Sequence, residues 1–137
     1  MKRILTIVCS AVMLLSVSSC TKKYITPNPN FSVFATVQPS DWLLSDDGKS
    51  YYVPIDVADI TSDAASYDGV IVAISYADEV YEQLPEVYGG TSFSYTYNSG
   101  NGSQPGNLSI YAQSPDGSTP IQPTNAIKVK ITLIGTN

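Results

Sequence analysis

The chain has 137 residues, of which 43% are hydrophobic and 14% charged, with a formal net charge of −5 and no histidine. Its length suits one domain with a modest core. The acidic balance sets nucleic acid aside as a partner, because phosphate contacts need clustered Lys and Arg. Without histidine there is no Ser-His-Asp or Cys-His nucleophile system and no His-ligated metal.

The first element in chain order reads as a leader. Lys2 and Arg3 make a positive start, Ile4 to Leu15 is mostly apolar, and Ser16 to Ser19 are small or branched. That is the three-part layout of a secretory signal. The apolar run falls short of the ~20 residues that cross a bilayer's hydrocarbon core, so no permanent span is expected. Val17-Ser18-Ser19-Cys20 resembles the bacterial lipobox: an aliphatic residue, two small residues and a cysteine. The resemblance implies a diacylglyceryl group on the Cys20 sulfur and a peptidase cut just before it. Residues 1–19 would then be removed, and the partner at Cys20 is the membrane. An ordinary signal with an incidental cysteine is the competing reading. Each buried methylene adds about 0.8 kcal/mol, so two lipid chains suffice to hold the chain.

Cys9 is the only other cysteine and lies in the leader, which leaves no intrachain disulfide to expect. All twelve acidic residues and five of the seven basic ones lie beyond Cys20, giving that part a formal charge of −7. Residues 20–30, with Pro27 and Pro29 and no periodicity, read as a lipidated tether.

Residues 31–137 read as one β domain. Phe31, Val33, Ala35 and Val37 alternate with Ser32, Thr36 and Gln38, and Tyr51, Val53 and Ile55 fall on one face of the next strand, after the turn signal Ser45-Asp46-Asp47-Gly48. Val70 to Ile74 is nearly continuous apolar sequence, expected as a central strand covered on both faces. Residues 78–84 are ambiguous, and Pro85 tips them towards strand. Phe93, Tyr95 and Tyr97 form one alternating set, and Leu108, Ile110 and Ala112 another. The clearest is the last, with Ile127, Val129, Ile131 and Leu133 on one face and Lys128, Lys130 and Thr132 on the other. Those lysines would also discourage edge-to-edge pairing. One short helix is expected near Ile60, Ala64 and Tyr67, with a cap at Thr61 or Ser62 and a stop at Gly69. About seven strands joined by Gly, Pro and Asp turns predict an all-β antiparallel sandwich, immunoglobulin-like in the broad sense.

Ser40-Asp41-Trp42, Tyr51-Tyr52-Val53, Gly69-Val70-Ile71-Val72, Val80 to Pro85 and Ile127 to Ile131 together resemble a group of small Bacteroidota lipoproteins of unknown function. They are also similar to the β-rich end domain of some collagen-like proteins of that phylum. The resemblance implies an envelope module and carries over no catalytic residue. In that phylum acidic residues after the lipidated cysteine favour surface export. Here Thr21-Lys22-Lys23 stands instead, favouring an outer-membrane anchor that faces the periplasm, with surface exposure as the alternative.

Three chemistries were open. Trp42, Phe93, Tyr95 and Tyr97, with Tyr51, Tyr52, Tyr81 and Tyr88, could line a sugar- or peptide-binding face, or could be core and strand surface. Asp56, Asp59, Asp63 and Asp68 form an acidic cluster that is a weak calcium candidate without EF-hand spacing, and otherwise a solvated face. Asp46-Asp47 and Asp78-Glu79 are adjacent carboxylates that read as turn residues rather than as a catalytic pair. The expectation is therefore a non-enzymatic, cofactor-free envelope lipoprotein whose domain contacts a protein, with glycan binding as the alternative.

Overall fold

The computed structural model describes residues 30–61, 69–101 and 104–135. They form two antiparallel sheets. The strands are β1 (Phe31–Val37), β2 (Leu43–Leu44), β3 (Ser50–Val57), β4 (Gly69–Ala77), β5 (Val80–Gln83), β6 (Glu86–Tyr88), β7 (Thr91–Asn98), β8 (Gly106–Gln113) and β9 (Ile127–Ile134). One sheet has the order β1-β9-β4-β5 and the other β2-β3-β8-β7-β6. The expected all-β sandwich is the architecture observed. The long strands fall on stretches of period-two sequence, except β4, which falls on the nearly continuous apolar run, and residues 80–83 are strand. The expected helix falls largely on residues 62–68, outside the described residues, while Ile60 at its start is wholly buried.

Alternation decides which side chains enter the core. From β9 come Ile127, Val129, Ile131 and Leu133, and from β4 Val70, Val72 and Ile74. The facing sheet contributes Val53 and Val57 of β3, Phe93 of β7, and Leu108, Ile110 and Ala112 of β8. Burying one such aliphatic side chain fully is worth about 1.5–3 kcal/mol. Tyr95 adds a polar tie between sheets, its hydroxyl donating to the Val70 carbonyl at 2.8 Å.

Two expectations need correction. β4 lies inside its sheet, but its outer face is only half covered: Ile71 and Ala73 sit beside Thr132 and Lys130 of β9 and under no second layer among the described residues. β9 is no edge either, since it pairs with both β1 and β4. Its lysines therefore act across the sheet face. Lys130 Nζ lies 6.0 Å from the Phe34 ring centre and 5.9 Å from that of Tyr81, a cation held by two aromatic faces. Lys128 meets Asp78 at 3.3 Å in an exposed pair of little energetic consequence.

Two turns repeat one chemistry. In Ser45-Asp46-Asp47-Gly48, Ser45 Oγ donates to Asp47 Oδ1 at 2.6 Å, and the Lys49 amide donates to the same oxygen at 3.0 Å. In Ser114-Pro115-Asp116-Gly117 the Ser114 hydroxyl and Ser118 amide treat Asp116 identically, at 2.6 and 3.0 Å. These donors hold Asp47 below the usual carboxylate range and bring Asp116 down to about 2. Each turn closes on a glycine at positive φ, Gly48 at 67° and Gly117 at 76°.

Gly106 opens β8 where a side chain has no room, because a Cβ there would press on the Ile60 and Val57 carbonyl oxygens. Gly106→Ala is expected to cost about 1–3 kcal/mol by overpacking. Ile131→Ala should cost about 2–5 kcal/mol through the cavity it leaves. Urea unfolding of both beside the exposed-site control Phe34→Ala checks this, and a control as damaging as Ile131→Ala would contradict the assignment of the core.

Candidate functional site

The aromatic residues first suggested as a ligand face are divided by the fold. Trp42 is only 5% exposed and Phe93 3%, and they meet edge to face at 6.2 Å inside the sandwich. The reason is register: β7 turns Phe93, Tyr95 and Tyr97 towards the other sheet, so the alternating row is an inner row. Tyr95 is half-buried and occupied by its bond to Val70, and burial raises its hydroxyl pKa. Of the four, Tyr97, near the end of β7 and paired with Leu108, is the exposed one. Trp42, Phe93, Tyr95 and Tyr97 thus do not make an exposed face.

A different aromatic surface exists at the other end of that row. Tyr76 ends the inward row of β4, and β6 pairs with β7 so that Glu86 lies opposite Phe93 and Tyr88 opposite Thr91. Glu86 and Tyr88 therefore face inward at the sheet margin. Tyr88, half exposed, stacks on Tyr76 with ring centres 4.0 Å apart and planes 11° from parallel. Beside the stack lies a cleft of about 230 Å³ whose lining includes Tyr76, Tyr88, Thr91, Phe93, Gln122 and Asn125. Its outer wall is the segment before β9. That wall is fixed by Gln122 Nε2, which donates to the Pro39 carbonyl at 2.6 Å in the single 3-10 turn Pro39–Asp41. Ile121, at 77% exposure, stands at the rim. An aromatic plate with a hydroxyl and two amides around it suits a flat, hydroxyl-bearing ligand ring.

Behind the plate Tyr76, Glu82 and Glu86 come together as a group of ionisable side chains. Glu86 Oε1 and Tyr76 Oη are both buried and have no hydrogen-bond partner among the described residues. Burial raises the Glu86 pKa to about 7, with Glu82 nearby adding to the effect. The Tyr76 hydroxyl is likewise pushed far up, by burial first and by Glu86 second. Glu86 is therefore a carboxyl that ionises less readily than an exposed one. The sequence hid this because Tyr76, Glu82 and Glu86 come from three strands, and only register and the β5–β6 crossing bring them together.

The acidic cluster is not assembled by the described part of the chain. Asp56 and Asp59 are exposed, Asp56 being 3.5 Å from Asn107 Nδ2, while Asp63 and Asp68 lie outside the described residues. Among the described residues no three carboxylate or thiol groups converge as a metal site would require. Cys20 also lies outside them. Asp78 and Glu79 form the β4–β5 turn, with Glu79 at φ 60°.

No family model matches the chain, and no curated protein or solved structure is significantly similar to it.

The Glu86 environment has a signed consequence. Ionisation is harder in the fold than in the unfolded chain, whose carboxyl titrates near 4.5. Stability conferred by the protonated form is thus complete below that value and is lost as pH rises towards about 7. Glu86→Gln removes this dependence and should make the fold more stable than wild type at about pH 8, by about 1 kcal/mol after solvent screening. At about pH 5 the two should differ little. Thermal melts at both values check it, and equal pH dependence in the two chains would contradict it.

Proposed function

We propose that the chain is a lipid-anchored, non-enzymatic module of the bacterial cell envelope, held in the outer membrane through Cys20 and facing the periplasm. Its domain then serves protein contacts. The observation that carries the reading is the leader itself, Lys2-Arg3, an apolar run and Val17-Ser18-Ser19-Cys20, followed by a proline-containing tether and a domain that begins at Phe31. The resemblance to small Bacteroidota lipoproteins points the same way.

Metabolic labelling with a palmitate analogue tests it. Label is expected on the chain in the membrane fraction, and Cys20→Ser should abolish both labelling and membrane retention. Unlabelled chain that still fractionates with the membrane would overturn the anchor. In intact cells a protease that cannot cross the outer membrane should leave the chain whole, cutting it only once that membrane is opened.

Glycan binding is the second reading, supported by the Tyr76–Tyr88 stack beside the cleft. Under it, Tyr88→Ala should weaken binding to isolated envelope polysaccharide about tenfold or more, since a stacking plate contributes on the order of 1 kcal/mol beyond its buried area. Calorimetric titration with wild type and variant measures this. Equal affinity for both would remove the cleft from consideration.

A further inference from the structure

The edges of the two sheets are unequally closed. β5 has four residues and joins β4 across a bulge, β2 has two residues and β6 three. Such short edges offer little to an incoming strand. Beyond the reach of β2, the outer side of β3 carries Pro54, which has no N–H to donate. β1 is different. It has seven residues and pairs with β9 in unbroken register from Phe31–Leu133 to Val37–Ile127. It contains no charged residue, proline or glycine, and no described strand lies on its other side. In an antiparallel pair, alternate residues direct N–H and C=O away from the existing partner. Among the described residues β1 therefore presents a row of open backbone valences.

Alongside that row runs a groove of about 430 Å³ between the sheets. Ala35 and Val37 of β1 line one wall, and Leu43, Val53 and Ile55 line the other. Asp41 is the ionisable group on its lining, next to the Val37 end. Its carboxylate accepts the Gln38 amide at 2.8 Å and remains exposed.

We infer that β1 is a receiving edge for an extended segment of a partner polypeptide. The segment adds as a further strand to the four-stranded sheet, places alternate apolar side chains in the groove, and sets a basic residue beside Asp41. Open N–H and C=O groups at strand spacing select extended polypeptide, and the apolar walls select its alternating side chains. A second copy of this chain fits less well. Its own Val33, Ala35 and Val37 are already packed against its core, so its β1 has no apolar row left to insert. Two chains each carrying −7 beyond Cys20 also repel, whereas a basic partner is attracted. The inference rests on the interaction-module reading and names the surface and the partner class.

The test uses the full lipidated chain in detergent micelles and a synthetic peptide, Lys-Thr-Val-Thr-Val-Thr-Val-Thr. At saturation, hydrogen exchange of alternate β1 amides should slow about tenfold or more, while β6 amides keep their rates. The same peptide with alternate amides N-methylated should have no effect, because it cannot complete the ladder. Unchanged β1 exchange, or equal protection by the methylated peptide, overturns the inference. So does β1 protection that grows with protein concentration without peptide, which assigns the edge to a second copy. A photo-crosslinking side chain in place of Thr36 or Val87, in native cells, separates the two readings. Crosslinks to another protein from position 87 alone overturn the receiving edge and leave the interaction module standing, and none from either position overturns both.

Discussion

The last strand is the constraint on which the sandwich depends. β9 lies between β1 and β4, so neither has its full set of sheet hydrogen bonds until the C-terminal residues are in place. It also brings the buried row Ile127, Val129, Ile131 and Leu133 to the centre of the core. The ends of the domain close there, with the Gly135 amide donating to Asn30 Oδ1 at 3.1 Å. With its two cysteines at positions 9 and 20, the domain has no disulfide to shorten that loop. Cohesion falls to the interlocked rows and to side-chain ties such as Tyr95–Val70. Pairing of sequence-distant strands places the fold among the slower topologies to assemble.

How much of this was legible follows from strand length and burial. Half-buried strands of seven or eight residues announce themselves by alternation, and 31–37, 50–57, 106–113 and 127–134 all do so. β2 and β6 were not legible, because Leu43-Leu44 and Glu86-Val87-Tyr88 are too short to display a period. β6 also carries a carboxylate on the inward row, where pattern reading expects an apolar residue. The turns were readable because their chemistry is local: serine, aspartate and glycine within four residues satisfy one another. Alternation places Lys128 and Lys130 on the outward face, where they stand, but which strand neighbours which is a tertiary fact, and β9 is not an edge.

Aromatic residues were the hardest to place, for a physical reason. Tyrosine suits both faces of a strand, since its ring packs inside while its hydroxyl can reach a partner or water. The same residue type thus ties the two sheets at Tyr95, stacks at the margin at Tyr76 and Tyr88, and pairs across the outer face at Tyr52 and Tyr111. Alternation reports only that Phe93, Tyr95 and Tyr97 share a face, not which face that is. Trp42 falls between the 3-10 turn and β2, outside any period, and its burial follows from the edge-on contact with Phe93.

The placement of β1 would join architecture to the proposed anchoring. The strand follows the segment 20–30, so a lipid on Cys20, as proposed, would hold the start of β1 within about 40 Å of the bilayer even with that segment fully extended. A strand added to the free side of β1 would then be captured close to the membrane surface. Confinement of both partners to one envelope compartment, as proposed, would raise their effective concentration, so that a short ladder and an apolar groove would suffice where a freely diffusing domain would need a larger interface. The blunted edges at β2, β5 and β6 matter equally to this arrangement, because an open strand is useful only when the other margins do not compete for the same segment. With the anchor proposed at Cys20, a free edge at β1 and short edges elsewhere would be directional: one strand would be admitted, in one place, next to the membrane.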